Sequence, residues 1–306
     1  MEIRTNISAM NAHLRMKQSA SNQWQAAERL TSGHRINSAA DDPAGLAISE
    51  SLRAQIIGTE QAIRNTDDGI ALIQTAEGGL QNVCDMIHRL RELIVQAAND
   101  TNSLEGRHHI QGEIDNILDE IDTLASRVEF NGRKILSGDY GGRDTPNSNP
   151  LFFQVGANSD HGFRLNIERL DTEGLGLRNP TISVVEFQRL NPDGTPALDI
   201  NNNPIYDPAT SGVYIHMLLD RIDEALEVSL TERSHLGAAQ SRLEHARQSL
   251  STTSLNLSDA ESRVRNADMA REMMDYMQMN VLFSAASSML AQAKQSPNMV
   301  LQLLQG

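Results

Sequence analysis

Nine histidines, one cysteine and 40 acidic residues are the groups in this 306-residue sequence that could ligate a metal, attack a carbonyl or move a proton. Their spacing offers none of those chemistries. His108 and His109 adjoin, but no His-Glu-x-x-His helix supplies the ligands and base of a zinc hydrolase, so the pair reads as exposed. Cys84 is the sole cysteine, which rules out an intramolecular disulfide and a cysteine zinc site. Its place between Val83 and Ile87 on an apolar stripe makes it a packed thiol rather than a nucleophile. Neither a Gly-x-x-x-x-Gly-Lys-Ser/Thr loop nor a Gly-x-Ser-x-Gly elbow occurs, and Gly78-Gly79 falls inside a helical tract. Asp119, Glu120 and Asp122 fit a solvated helix face. No enzyme activity, catalytic residue, metal ligand or cofactor is expected, and the informative spacing is that of the apolar residues.

Aromatic residues make up 4% of the chain, and Ala, Leu, Ile, Ser, Gln and Asn crowd its two ends, whereas Gly and Pro gather in the middle. A mainly helical fold follows. The formal net charge of -14 opposes a phosphate lattice, so nucleic acid is not expected as a partner. Residues 1–6 lead into an amphipathic segment without the apolar core of a cleaved secretion signal. The longest apolar stretch, 281–293, is broken by serines and too short for membrane insertion. Composition alone would place the chain in the cytoplasm.

Residues 1–32 contain neither Gly nor Pro, and Ile3, Ile7, Met10, Leu14 and Trp24 recur at helical spacing, which predicts one amphipathic helix. Asp42 followed by Pro43 supplies an N-cap and a first-turn proline for a second tract. That tract carries glycines at 45, 58, 69, 78 and 79, tolerable where helices pack closely, and then a clean stripe of Leu80, Val83, Cys84, Ile87, Leu90, Ile94 and Ala97. After a turn at 99–103, Ile110, Ile114, Ile117, Leu118, Ile121 and Leu124 predict an antiparallel third helix. From 131 to about 212 the helical period disappears. There, 152–155 and 163–167 read as two strands around a turn, and 182–190 before Asn191-Pro192-Asp193-Gly194 as the start of another hairpin.

The last third holds the strongest periodicity. Leu236, Leu243, Leu250, Leu257 and Val264 fall seven apart, each followed three residues on by Ala239, Ala246, Thr253, Ala260 or Ala267, a coiled-coil seam that lets a partner helix approach closely. Ile215, Leu218, Ile222 and Ala225 extend the register upstream, with Ser229, Glu232 and Gly237 marking a weak or interrupted turn. Residues 238–296 lack Gly and Pro, so one helix of about 90 Å is expected there at about 1.5 Å per residue. Methionines at 269, 273, 274, 277, 279, 289 and 299 crowd this end, which suits intermolecular packing.

These residues resemble bacterial flagellin, the filament subunit family. The likeness is carried by Leu30-Thr31-Ser32-Gly33 with Ile36 through Ser49, by Asp68 through Gly78, by Arg91-Glu92-Leu93 with Val95 through Asn99, and by Glu129-Phe130-Asn131-Gly132. Ser241 through His245, Ala260 through Ala270 and Val300 through Leu304 add to it on the C-terminal side. The resemblance implies a mainly α fold, a long antiparallel helical hairpin or coiled-coil bundle with a small β-hairpin region in the middle. It implies terminal helices at 1–40 and 267–306 forming a filament core, a helical bundle with β-hairpin at 41–177 and 213–266, and a short variable insertion at 178–212.

It also implies a homopolymer in the extracellular flagellar filament, exported by the flagellar type III system without a cleaved signal, which overrides the cytoplasmic reading. An export chaperone, hook-associated junction and cap proteins and Toll-like receptor 5 follow as partners. Positions matching the receptor and subunit contact are Arg89, Leu93 and Glu113; Leu93 falls off the main stripe and is expected at the surface. Polymerisation is expected to use Ile3, Ile7, Met10, Leu14, Trp24, Met273, Met277, Val281, Leu290, Leu301 and Leu304, because apolar strips that one chain cannot bury should pack against other copies. Head-to-tail contacts that close no ring then propagate as a helix. The rival readings are the hook-filament junction protein of the same superfamily and a secreted binding module; no insert with its own core supports the second.

Overall fold

The computed structural model describes residues 6–99, 101–141, 149–178, 182–184 and 211–305. In chain order it contains α1 (Ile7–Ser32), α2 (Pro43–Ala97), α3 (Leu104–Arg127), β1 (Glu129–Phe130), β2 (Arg133–Lys134), β3 (Leu151–Gln154), β4 (Gly162–Leu165), α4 (Ser211–Arg265) and α5 (Met269–Gln305). Two compact units share these elements, one of 1–57 with 253–306 and one of 58–252. Most of the 178–212 insertion, including 185–190 of the expected second hairpin, lies outside the described residues.

Helix ends follow capping chemistry. Asp42 accepts from the Gly45 N–H at 2.9 Å, and Ser103 accepts from the Gly106 N–H at 3.1 Å. Gly33 ends α1 at φ 71, where a side chain would strain the backbone.

In the unit 58–252, α2 buries a seven-residue repeat, Thr66, Gly69, Ile73, Ala76, Leu80, Val83, Ile87, Leu90, Ile94 and Ala97, against Ile110, Ile114, Leu118 and Ile121 of α3 and Leu218, Ile222, Leu236 and Leu243 of α4. Each such Leu or Ile taken from water contributes roughly 1.5–3 kcal/mol. The β1–β2 hairpin turns on Asn131 (φ 52) and Gly132 (φ 75), two positive angles that suit the strand twist. β3 and β4 pair antiparallel from Leu151↔Leu165 to Gln154↔Gly162, the expected strand–turn–strand with each strand beginning one residue earlier than 152 and 163. Gly69 lets this hairpin sit close, since a Cβ there would stand 3.2 Å from Phe153 and 3.2 Å from Leu243.

Two expectations for α4 need correction. The register does not weaken at 229–237: Ser229 and Glu232 are buried at seam positions, with Ser229 donating to the Ala225 carbonyl at 2.9 Å and Glu232 accepting from the Glu168 N–H at 3.3 Å. Those bonds satisfy the polar groups, so the helix runs through. Nor is 238–296 one helix. The chain leaves helix at Asn266 and Ala267, and Asp268 caps α5 by accepting from Ala270 at 3.0 Å and Arg271 at 3.3 Å. The freed backbone pairs with the α1–α2 connection: Arg35 N–H donates to the Arg265 carbonyl at 2.7 Å, and Ala267 N–H to the Gly33 carbonyl at 3.0 Å.

Candidate assembly surface

In the unit 1–57 with 253–306, α1 and α5 run antiparallel with Cα atoms within 8 Å along the pair. Small residues allow that approach. The less exposed positions of α1 include Ala9, Ala12, Met16, Ser19, Gln23, Ala26 and Leu30, with Ala20, Asn22, Ala27 and Arg29 flanking them, and those of α5 are Glu272, Tyr276, Met279, Phe283, Ala286, Leu290 and Ala293. The α5 set, and the series from Ala9 to Leu30 within α1, repeat at three and four, the spacing of a coiled-coil seam. Asn6, Gln23 and Arg29 of one side meet Ala293, Asn280 and Glu272 of the other at 2.8, 3.5 and 3.8 Å.

That seam still leaves many large apolar side chains of both helices outside. Ile7 is 59% exposed, Met10 58%, Leu14 62% and Trp24 77%; on α5, Met273, Met277 and Val281 are likewise exposed, Val281 at 69%. Seven of the residues expected to contact other copies therefore lie on the outer faces of the pair. Leu290 does not: at 9% exposure it packs in the α1–α5 seam, because it keeps the period of Phe283 and Ala286. Ile3 and the side chains of Leu301 and Leu304 lie outside the described residues. Met274 and Met289, two of the methionines read as suiting intermolecular packing, are exposed at 65% each, whereas sequence spacing missed Ile48, Ile57, Leu255 and Leu282, exposed apolar residues of this unit whose lack of a shared helical period hid them.

Along α4, Leu236 and Leu243 of the expected seam are fully buried, whereas Leu250, Leu257 and Val264 are half-buried. The joint at 33–42 is tied by Arg35, whose guanidinium donates to the Val264 carbonyl at 2.7 Å, and by Arg265, paired with Glu50 at 2.7 Å. Ser38 donates to the Asp41 carboxylate through its N–H at 2.9 Å and its hydroxyl at 3.1 Å. Those bonds hold the Asp41 carboxyl below the usual aspartate value.

On the unit 58–252, Arg89 reaches Glu113 at 2.7 Å and Glu92 at 3.0 Å, with Arg89 and Glu113 about half in solvent and Glu92 more exposed. Leu93 is not at that surface. It is 1% exposed, because α2 buries residues flanking its main stripe, Leu72, Gly79 and Leu93, as well as the stripe itself. Beside it on the exposed face lie Val95 at 50% exposure and Gln96. Cys84 is buried, and burial pushes its thiol pKa up. Among the described residues no group of His, Cys, Asp and Glu is placed to hold a metal, and no helix is long and apolar enough to cross a membrane.

Residues 3–140 match the family model of the bacterial flagellin N-terminal helical region, and 219–304 that of the bacterial flagellin C-terminal helical region. The chain is 42% identical to a flagellin of Bacillus subtilis (strain 168) over 308 residues, covering 99% of this chain and 100% of that one. It is 38% identical to the flagellar filament 33 kDa core protein of Treponema phagedenis, again over 99% and 100%. Among solved structures it is similar to a candidate flagellar hook-associated protein from Vibrio parahaemolyticus, with a TM-score of 0.57, 16% identity, and 74% of this chain and 100% of that one covered. That last likeness concerns the fold alone.

Proposed function

The chain belongs to the bacterial flagellin family, and on that premise we propose that it works as a subunit of the flagellar filament which polymerises through the outward apolar faces of α1 and α5. One observation carries the mechanism: the α1–α5 seam takes in Ala9, Ala12, Ser19 and Ala26 with Phe283 and Leu290, while Ile7, Met10, Leu14, Trp24, Met273, Met277 and Val281 remain in water. Among the described residues nothing covers them, and a second copy brings faces of the same chemistry.

In this reading 1–40 and 267–306 form the filament core, 41–177 with 213–266 the surrounding bundle, and 178–212 a short outer insertion. Self-association and an extracellular site in the filament follow from the family; export by the type III system, its chaperone, and docking to junction and cap proteins extend the proposal. Arg89 and Glu113 form the part of the bundle surface open to a neighbouring subunit or to Toll-like receptor 5, with Leu93 supporting it from within.

The test replaces Trp24 and Val281 by Glu and follows polymerisation by sedimentation. The variant is expected to keep the helical content of the native chain and to form no filaments. Filament formation at the native rate would overturn the mechanism.

A further inference from the structure

Resting on the reading of α1 and α5 as assembly faces, we propose that the outward methionines of α5 are a peroxide-sensitive modification site that removes assembly competence from the unassembled chain. Met273, Met274, Met277 and Met289 are 47%, 65%, 59% and 65% exposed. Methionine oxidation follows access to the thioether, and these four are open on a face whose assembly requires losing water. Two other methionines serve as internal controls: Met279 is half-buried against α1, and Met86 packs on the core of the other unit.

The reaction is a two-electron oxidation. A sulfur lone pair attacks one oxygen of hydrogen peroxide, the O–O bond breaks as the S–O bond forms, and the proton of the attacked oxygen passes to the second oxygen, which leaves as water; sulfur is oxidised and peroxide reduced, with no other reactant. The product carries a strong acceptor oxygen where an apolar chain stood. Packing that oxygen against another apolar face without a donor opposes assembly. In the filament the same sulfurs are covered, so the modification acts on free chain and spares assembled chain.

Purified full-length chain, free and in filaments, is treated with dilute hydrogen peroxide, each methionine is followed by peptide mass spectrometry, and polymerisation by sedimentation. In free chain the four outward methionines are expected to oxidise before Met86 and Met279, polymerisation to be lost, and methionine sulfoxide reductases of both epimer specificities to restore it. A chain with Leu at these four positions and at Met10 and Met269, which are 58% and 49% exposed, keeps the apolar face without those sulfurs and is expected to polymerise after peroxide as before. Oxidised native chain that polymerises like untreated chain would overturn the proposal, as would loss without reductase rescue. Should the Leu chain fail to polymerise untreated, the reductase arm on native chain decides alone. Equal oxidation rates in free chain and filament would instead sink the assembly-face reading, whatever the effect of the sulfoxide.

Discussion

The Asn6 carboxamide donates to the Ala293 carbonyl at 2.8 Å while its own oxygen accepts from the Ala9 N–H at 3.0 Å. One side chain thus caps α1 and joins it to a helix 287 residues away in sequence. The same antiparallel register continues through Gln23 with Asn280 and Arg29 with Glu272 to the backbone bridge of His34 with Asn266. The seam so registered takes in Phe283 and Leu290 but not Ile7, Met10, Leu14, Trp24 or Val281, and the outer faces of the pair acquire their apolar character.

Two adjacent glycines in α2 should respond in opposite directions to alanine. A Cβ at Gly78 would meet nothing within 4 Å, so Gly78→Ala is expected to stabilise by about 1 kcal/mol through helix propensity. At Gly79 it would stand 2.7 Å from Val128 and 3.1 Å from Leu136, and overpacking is expected to cost about 1–3 kcal/mol. Denaturant unfolding of the two single variants measures both; equal shifts would contradict the packing described for α2.

Leu93→Ala should destabilise the chain by roughly 2–5 kcal/mol, since it removes a side chain packed among Leu90 and Ile94 in the core. Arg89→Ala should leave stability unchanged, because its ion pair with Glu113 lies half in solvent. If Leu93 acted as a surface contact, its truncation would leave the unfolding midpoint where it is. Receptor or subunit effects of Leu93→Ala therefore have to be compared at matched folded fraction, whereas those of Arg89→Ala report the surface directly.

The joint between α1 and α2 carries a pH dependence of known sign. Hydrogen bonds from Ser38 depress the folded pKa of Asp41 below its unfolded value. The unfolded chain then binds the proton more readily, so the stability contributed is present above the ordinary aspartate value and is lost as pH falls through the depressed folded one. A titration of the Asp41 carboxyl by carbon NMR should give a midpoint below that of an unstructured aspartate. The stability advantage over Asp41→Asn should vanish on acidification; an advantage that persists in acid would show that the carboxylate is not what holds the turn.

Much of this architecture could be read before any coordinates. Asp42-Pro43 gave away the start of α2, and the isoleucines of α3 its buried face, because caps and large apolar residues leave a strong local imprint. The inner face of α1 left none: Ala9, Ala12, Ser19 and Ala26 have little hydrophobic contrast beside Ile7, Met10 and Leu14, so only the outer face was legible. Leu290 was drawn into the wrong set for the same reason. The break at Asn266–Asp268 hid because Val264 and Ala267 keep the heptad phase across it, and its cause is a partner, the 33–35 backbone, more than 200 residues away. Leu93 hid because a helix buried on a broad face also covers residues one step off its stripe.

Trp24 is the only tryptophan of the chain and stands 77% exposed on the outer face of α1, so its emission reports that face in unaltered protein. Steady-state fluorescence with acrylamide quenching, recorded before and after polymerisation, is the most direct check. The account predicts a blue-shifted maximum and a marked fall in quenching once filaments form. A maximum and a quenching constant that stay as they were in free chain would place the outer face of α1 in water within the filament and contradict it.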